Sequence, residues 1–66
     1  MKNKLKVARA EMDITQGELA EKINVSRQTI NAIESGKYVP STVLALKMAK
    51  VFGKNVEEIF FLEEDD

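Results

Sequence analysis

The chain has 66 residues, so it holds one domain (residues 1–66) with a small core and marginal stability. The absence of cysteine and histidine excludes disulfides and argues against a structural zinc site, which makes self-association the expected source of further stability. The formal net charge is −1, yet residues 1–56 carry ten bases and five acids, a balance of +5, whereas residues 57–66 carry six acids and no base. A basic body with an acidic tail is typical of a protein whose body meets phosphate.

We expect no signal peptide near Met1, because Lys2, Lys4 and Lys6 interrupt any apolar run. The longest apolar stretch, Ile59–Leu62, is far shorter than a membrane span of about 20 residues. A chain without cysteine also fits a reducing compartment. We therefore expect a soluble protein of the cytoplasm, associated with the nucleoid and not with membranes.

Start and stop signals divide the chain into five short helices. Leu5, Ala8 and Met12 share one helical face, which predicts a first helix from Asn3 to Met12. Thr15 begins the second helix, which runs to about Ile23, with Glu18 in the position that completes a capping box.

The remaining helices have similar boundary signals. Ser26 caps a third helix that ends before Gly36, and Ser41 caps a fourth that ends at Gly53. A last short helix follows Asn55, with Glu58 in the position that completes a second capping box. Strand signals are almost absent, so the predicted fold is all-α, with the apolar fourth helix at its centre. The apolar face predicted for the fourth helix consists of Val43, Leu46, Ala49 and Phe52.

The second and third helices have the features of a helix-turn-helix. Ala20 is small where the helices must cross, and Asn24 tolerates the positive φ of a sharp turn. Val25, Ile30 and Ile33 supply the apolar contacts beneath the turn. These two helices are therefore predicted to form one rigid unit.

The third helix exposes an unusual set of polar side chains. Arg27, Gln28 and Asn31 lie near its N-terminal end, with Ala32 beside them. In the major groove, arginine forms bidentate hydrogen bonds with guanine, and glutamine or asparagine does so with adenine. Alanine can contact the methyl group of thymine. An ordinary solvated surface is the alternative, although such a surface is typically rich in Glu and Lys. Gln16 and the first amides of the second helix offer a site for phosphate.

These residues resemble the Cro/cI-type (XRE) helix-turn-helix family. The resemblance is carried by Thr15–Gln16, Leu19–Ala20, Asn24–Ile30 and Ile33–Lys37, and it extends from Leu5 to Phe60. In length and tail the chain is similar to the minimal, cytolysin-repressor-like members. The resemblance implies a compact five-helix, lambda-repressor-like domain. Two departures are Asn24 at a turn position that usually holds glycine, and Gly17 within the second helix.

The resemblance also implies roles for individual residues. Arg9 and Glu34 match a pair that joins the first and third helices by a salt bridge, the alternative being two separately solvated side chains. The resemblance implies that Arg27, Gln28 and Ala32 read bases, and the exposed position of Asn31 adds it to this predicted set. The residues that the resemblance implies to contact phosphates are Gln16, Ser26, Ser35, Lys37 and Tyr38, and Thr29 is predicted to join them.

Residues 56–66 are predicted to be a dimerisation segment followed by the acidic tail. One helical face cannot bury Ile59, Phe60, Phe61 and Leu62 together, so we expect these four to form a symmetric interface, chiefly through Phe61 and Leu62. The alternative is that two of them face inward and two are merely exposed. Whether Phe61 and Leu62 form a short strand is left open.

The predicted function is sequence-specific binding of double-stranded DNA by a homodimer that represses transcription from a palindromic operator, with the third helix in the major groove. We expect no cofactor, no metal and no small-molecule substrate. An antitoxin-type interaction module that also binds its own promoter is the main alternative. An RNA binder lacks the aromatic stacking surface it would need. An enzyme lacks any evident general base or nucleophile.

Overall fold

A computed structural model describes all residues from 1 to 66. It confirms the all-α fold with five helices, to which it adds a two-stranded ribbon. None of the helices has the length and apolar character needed to cross a lipid bilayer. The elements are β1 (Lys2–Asn3), α1 (Leu5–Met12), α2 (Gln16–Ile23), α3 (Arg27–Glu34), α4 (Thr42–Phe52), α5 (Val56–Ile59) and β2 (Phe60–Phe61).

The ribbon corrects the predicted start of the first helix. β1 pairs antiparallel with β2, Lys2 lying opposite Phe61 and Asn3 opposite Phe60. The Lys4 N–H donates to the Ile59 carbonyl at 2.7 Å and extends the pairing. Because residues 2 and 3 are extended, α1 begins at Leu5 and not at Asn3. The sequence left open whether Phe61 and Leu62 form a short strand. In the structure Phe61 lies in a strand and Leu62 does not.

The side chain of Asn3 fastens the ribbon to α3. Its Nδ2 donates to the carbonyl of Ile33 at 2.9 Å, in the last turn of α3. Its Oδ1 accepts from the Leu5 N–H at 3.1 Å, at the start of α1. Asn3 therefore adds a second donor to the Ile33 carbonyl, which also accepts from the Gly36 N–H at 3.0 Å, and satisfies a free N–H at the start of α1.

The helix boundaries follow the capping signals. The Thr15 hydroxyl accepts from the Glu18 N–H at 3.0 Å, and the Glu18 carboxylate accepts from the Thr15 N–H at 2.9 Å, so the capping box is complete. The hydrogen bond from the Thr15 backbone lowers the pKa of Glu18. Ser26 and Ser41 accept from the N–H groups three residues ahead. Asn24 ends α2 with φ of 60°, the left-handed conformation predicted for it.

The core is built from all five helices. Its fully buried large side chains are Leu5, Leu19, Ile30, Ile33, Met48 and Ile59. The predicted apolar face of α4 is only partly buried, because Val43 and Leu46 are 64% and 56% exposed; on α1, Met12 is 43% exposed although it shares a face with the buried Leu5 and Ala8. α4 packs on α1, α2 and α5 through the side that carries Leu44 and Met48, so its opposite side is left uncovered in the protomer.

Candidate nucleic-acid interface

α2 and α3 are held together by the predicted joint. Ala20 is almost fully buried, and its carbonyl accepts from the Val25 N–H at 3.0 Å across the turn. Ile30 and Ile33 on α3 are fully buried, and Val25 packs against the same core. The buried side of α3 therefore fixes which side chains its other side presents to solvent.

The outward side of α3 presents Arg27, Gln28 and Asn31. All three side chains are exposed, and none takes part in the hydrogen bonds that hold the helix. Ala32 is half-buried beside them. The helix thus presents two amides and a guanidinium whose hydrogen-bonding groups are unoccupied, and the packing of its buried side fixes their orientation.

A polar concavity lies between the N-terminal ends of α2 and α3. Arg9, Gln16, Gly17 and Arg27 are among the residues that line it. Gly17 leaves room there: an added Cβ would lie 4.0 Å from Cδ of Arg27, an ordinary contact. Arg27, which forms no ion pair, and the free N–H groups of a helix start make this concavity favourable for an anionic oxygen, although Asp13, which also lines it, opposes this.

Several side chains predicted to meet phosphate are already engaged within the chain. The hydroxyls of Ser26 and Thr29 lie 2.9 Å apart, and the Ser26 hydroxyl also accepts from the Thr29 N–H. The Ser35 hydroxyl donates to the Ala32 carbonyl at 3.1 Å. Lys37 and Tyr38 are exposed in the loop after α3.

Arg9 and Glu34 form a paired contact between α1 and α3. The Nε of Arg9 donates to Oε2 of Glu34, and its Nη2 donates to Oε1 at 3.1 Å. The two side chains are 15% and 7% exposed, so they are not separately solvated. The hydrogen bond to Glu34 raises the pKa of Arg9. The remaining arm of Arg9 donates to the Ile14 carbonyl at 3.0 Å.

The Glu34 carboxylate has a third donor that sequence reasoning missed. Nε2 of Gln16 donates to Oε1 of Glu34 at 3.1 Å. One carboxylate therefore ties α1, the first residue of α2 and the last turn of α3 together. The second N–H of the Gln16 amide is left for an outside acceptor. Nothing in the spacing of two residues 18 positions apart could have indicated this contact.

The C-terminal segment departs from its prediction. Ile59 and Phe60 are 0% and 7% exposed, because they pack into the core of their own protomer, so their assignment to a dimer interface is wrong. Phe61 is half-buried, and the Lys4 ammonium lies 5.4 Å from its ring centre. Leu62 is 82% exposed. Only Phe61 and Leu62 keep surface for a partner.

The acidic tail folds back on the start of the chain. The Met1 ammonium lies 3.7 Å from Glu63 and 3.3 Å from Asp66. Asp66 also accepts from the Glu63 N–H at 2.7 Å, and this hydrogen bond lowers the pKa of Asp66. The tail is thereby held beside the ribbon.

Comparison with known proteins gives consistent matches along the chain. A family model described as helix-turn-helix matches residues 5–59. A protein of Methanocaldococcus jannaschii named as an uncharacterized HTH-type transcriptional regulator is 59% identical over 66 residues, which is 100% of both chains. One of the same description from Bacillus subtilis is 50% identical, also over 100% of both. Multiprotein-bridging factor 1 of Candida albicans is 37% identical over 62 residues, covering 86% of this chain and 41% of that protein.

Proposed function

Because this chain belongs to the helix-turn-helix family, which is not a family of enzymes, we propose that it is a DNA-binding transcription regulator that acts as a repressor in the cytoplasm, at the nucleoid. The observation that carries the proposal is the exposed set Arg27, Gln28 and Asn31 on a helix whose other side is locked in the core. A repressor of this kind occupies its operator and thereby excludes the transcription machinery.

α3 enters the major groove with its N-terminal half. Arg27 donates to O6 and N7 of a guanine, while the amides of Gln28 and Asn31 pair with N6 and N7 of adenines. Ala32 contacts a thymine methyl without steric conflict. Each bidentate pair contributes about 1–3 kcal/mol of discrimination against a wrong base.

The surrounding residues hold the backbone phosphates. Gln16 donates its second N–H to a phosphate oxygen at the positive end of α2, and Lys37 and Tyr38 contact the strand beyond α3. In the Ser26–Thr29 contact only one hydroxyl donates, so the other hydroxyl hydrogen is free for phosphate. The hydroxyl hydrogen of Ser35 is engaged by the Ala32 carbonyl, so its oxygen accepts from a water molecule that bridges to a phosphate of the DNA strand beyond α3.

The operator is palindromic and the protein binds it as a homodimer. Two-fold symmetry of the protein requires half-sites about 34 Å apart, one turn of the duplex. Each recognition helix must then lie about 17 Å, half of this spacing, from the two-fold axis. The protomer is 32 Å long, so it can meet this requirement with the two-fold axis at its edge.

The test is selection of bound duplexes from a random pool. We expect an inverted repeat with half-site centres about 10 base pairs apart to be enriched over successive rounds. A final pool with the composition of the starting pool would reject sequence-specific binding.

Lys37→Ala is expected to weaken binding to every duplex and to make the slope of log K against log salt shallower by about one unit, because one phosphate contact is lost. The matched control is Lys22→Ala. Lys22 lies in the last turn of α2, away from the Gln16 end that is proposed to meet phosphate, so its loss should leave the slope unchanged. Titrations at several salt concentrations measure both. Equal slopes for the wild type and Lys37→Ala would remove Lys37 from the phosphate contacts.

A further inference from the structure

The Glu34 carboxylate fixes which way the Gln16 amide points. An ionised carboxylate accepts hydrogen bonds but cannot donate them, so the nitrogen of the amide, and not its oxygen, must face Glu34. The observed bond, from Nε2 of Gln16 to Oε1 of Glu34 at 3.1 Å, has this orientation. The other N–H of the amide and its oxygen have no partner within the chain, so both are available to a ligand.

The carboxylate of Glu34 is itself held in place. Arg9 donates to both of its oxygens, from Nε to Oε2 and from Nη2 to Oε1. A further bond from Arg9 to the Ile14 carbonyl at 3.0 Å fixes the guanidinium. The Glu34 side chain is 7% exposed and lies in the last turn of α3, next to the fully buried Ile33. The acceptor for Gln16 therefore belongs to the rigid part of the domain.

The bond to Glu34 orders a side chain that would otherwise be mobile. Glutamine is among the side chains that lose most rotamer freedom when they are immobilised. Because Gln16 is ordered before any ligand arrives, this entropy cost is not incurred on binding. Gln16 is the first residue of α2 and Glu34 is the last of α3, so the bond also fixes the proposed phosphate contact relative to the proposed base-reading helix.

We propose that Glu34 is a positioning residue for DNA binding. It orders the Gln16 amide so that its second N–H meets a backbone phosphate while α3 lies in register with the bases. Glu34 makes no contact with DNA itself, because its charge would repel phosphate and its oxygens are already occupied. The inference rests on the proposed function, which supplies the phosphate that Gln16 contacts.

A purely structural role for Glu34 is the alternative. The Arg9–Glu34 pair joins α1 to α3, and the loss of either partner would weaken the whole fold. The two roles differ in the effect of methionine at both positions. Two methionines remove both charges and fill the same space with apolar groups, so the fold should be kept. A thioether is only a weak acceptor, so it cannot hold the Gln16 amide.

The test is a double-mutant cycle measured as affinity for the selected duplex. Gln16→Ala is introduced into the wild type and into the double variant Arg9→Met/Glu34→Met, whose fold circular dichroism checks. We expect Gln16→Ala to weaken binding about tenfold in the wild type, and less than about threefold in the methionine background, where the amide has already lost its position. Any direct effect of Arg9 on DNA cancels, because it is present with and without Gln16.

The matched control is Glu11→Met/Lys54→Met. It makes the same exchange at an ion pair of 3.6 Å whose side chains are 57% and 34% exposed. This pair has no contact with Gln16, so Gln16→Ala should still weaken binding about tenfold in this background.

A second measurement uses the unaltered protein and needs no variant to fold. Nuclear magnetic relaxation of the side-chain amide nitrogens gives an order parameter for each of the two glutamines of the chain. Gln28 is the internal reference, because its amide is exposed and has no bond within the chain. We expect an order parameter of about 0.8 for the Gln16 amide in the absence of DNA, and below about 0.6 for Gln28.

The outcomes separate the positioning role from the function. An equal effect of Gln16→Ala in the wild type and in the methionine background overturns the inference, as does a Gln16 amide as mobile as that of Gln28. If the methionine variant does not fold, the order parameters decide. Failure of the proposed function gives a different result: no duplex is then selected, while the order parameters still report whether Glu34 holds the amide.

Discussion

Gln28→Ala is expected to weaken binding to the selected duplex by about 1–3 kcal/mol, roughly 5- to 150-fold, and to relax the choice of base at one position in each half-site. The reason is geometric: Gln28 is exposed on a helix that is held by Ile30 and Ile33 and by the Asn3 contact to its last turn. Its amide can therefore meet one base edge only, and alanine leaves that edge unpaired.

The measurement is a set of titrations on the selected duplex and on the three other base pairs at the affected position. The wild type should separate the four duplexes, whereas Gln28→Ala should bind them with similar affinity. Random duplex is the internal control, because phosphate contacts are unchanged and its affinity should fall little. An equal loss on selected and random duplexes would show that Gln28 does not read a base. The free energy of unfolding should change by less than about 0.5 kcal/mol, as expected for an exposed side chain.

The helix-turn-helix could be predicted because its signals are local. Thr15, Ser26 and Ser41 each cap a helix through a bond that spans three residues, and Asn24 turns the chain by its own backbone preference. Such contacts depend on neighbours in the sequence. The identity of the residues on the outward side of α3 follows from the same periodicity, since Ile30 and Ile33 fix the inward side.

The ribbon and the burial of the C-terminal segment could not be predicted in this way. Lys2 and Phe61 are distant in sequence, and their pairing depends on the helices between them being in place. A run of four apolar residues shows that some must be buried, but not that Ile59 and Phe60 fill their own core. The change from helical to extended backbone at Phe60 decides which of the four are buried.

The exposure of α4 shows a limit of hydrophobic patterning. Val43, Leu46, Ala49 and Phe52 share apolar character, and the pattern alone predicts that they face a core together. Only the inward part of this set is covered in the protomer, since Ala49 is buried and Phe52 packs against the core. An apolar side chain indicates that burial is favourable, without saying whether the same chain or a second copy provides it.

Arg9→Ala is expected to lower the free energy of unfolding by about 3 kcal/mol, because the loss of one partner leaves a mostly buried charge on Glu34. The Gln16 amide would then be the only side-chain donor left to that carboxylate. For a domain of this size the loss corresponds to a fall in Tm of about 12–24 °C. Urea denaturation followed by circular dichroism measures this loss. If the dependence of the unfolding free energy on urea concentration is unchanged, the variant differs from the wild type in stability and not in the surface exposed on unfolding.

The matched control is Lys54→Ala, which removes an ion pair with Glu11 at 3.6 Å between side chains that are 34% and 57% exposed. Solvent screens that pair, so its loss should cost less than about 1 kcal/mol. Replacing Arg9 and Glu34 together by methionine should restore much of the stability lost in Arg9→Ala, because no unpaired charge remains. If Arg9→Ala cost no more than Lys54→Ala, the Glu34 carboxylate would have to be solvated in solution, and it could not orient Gln16 toward the phosphate.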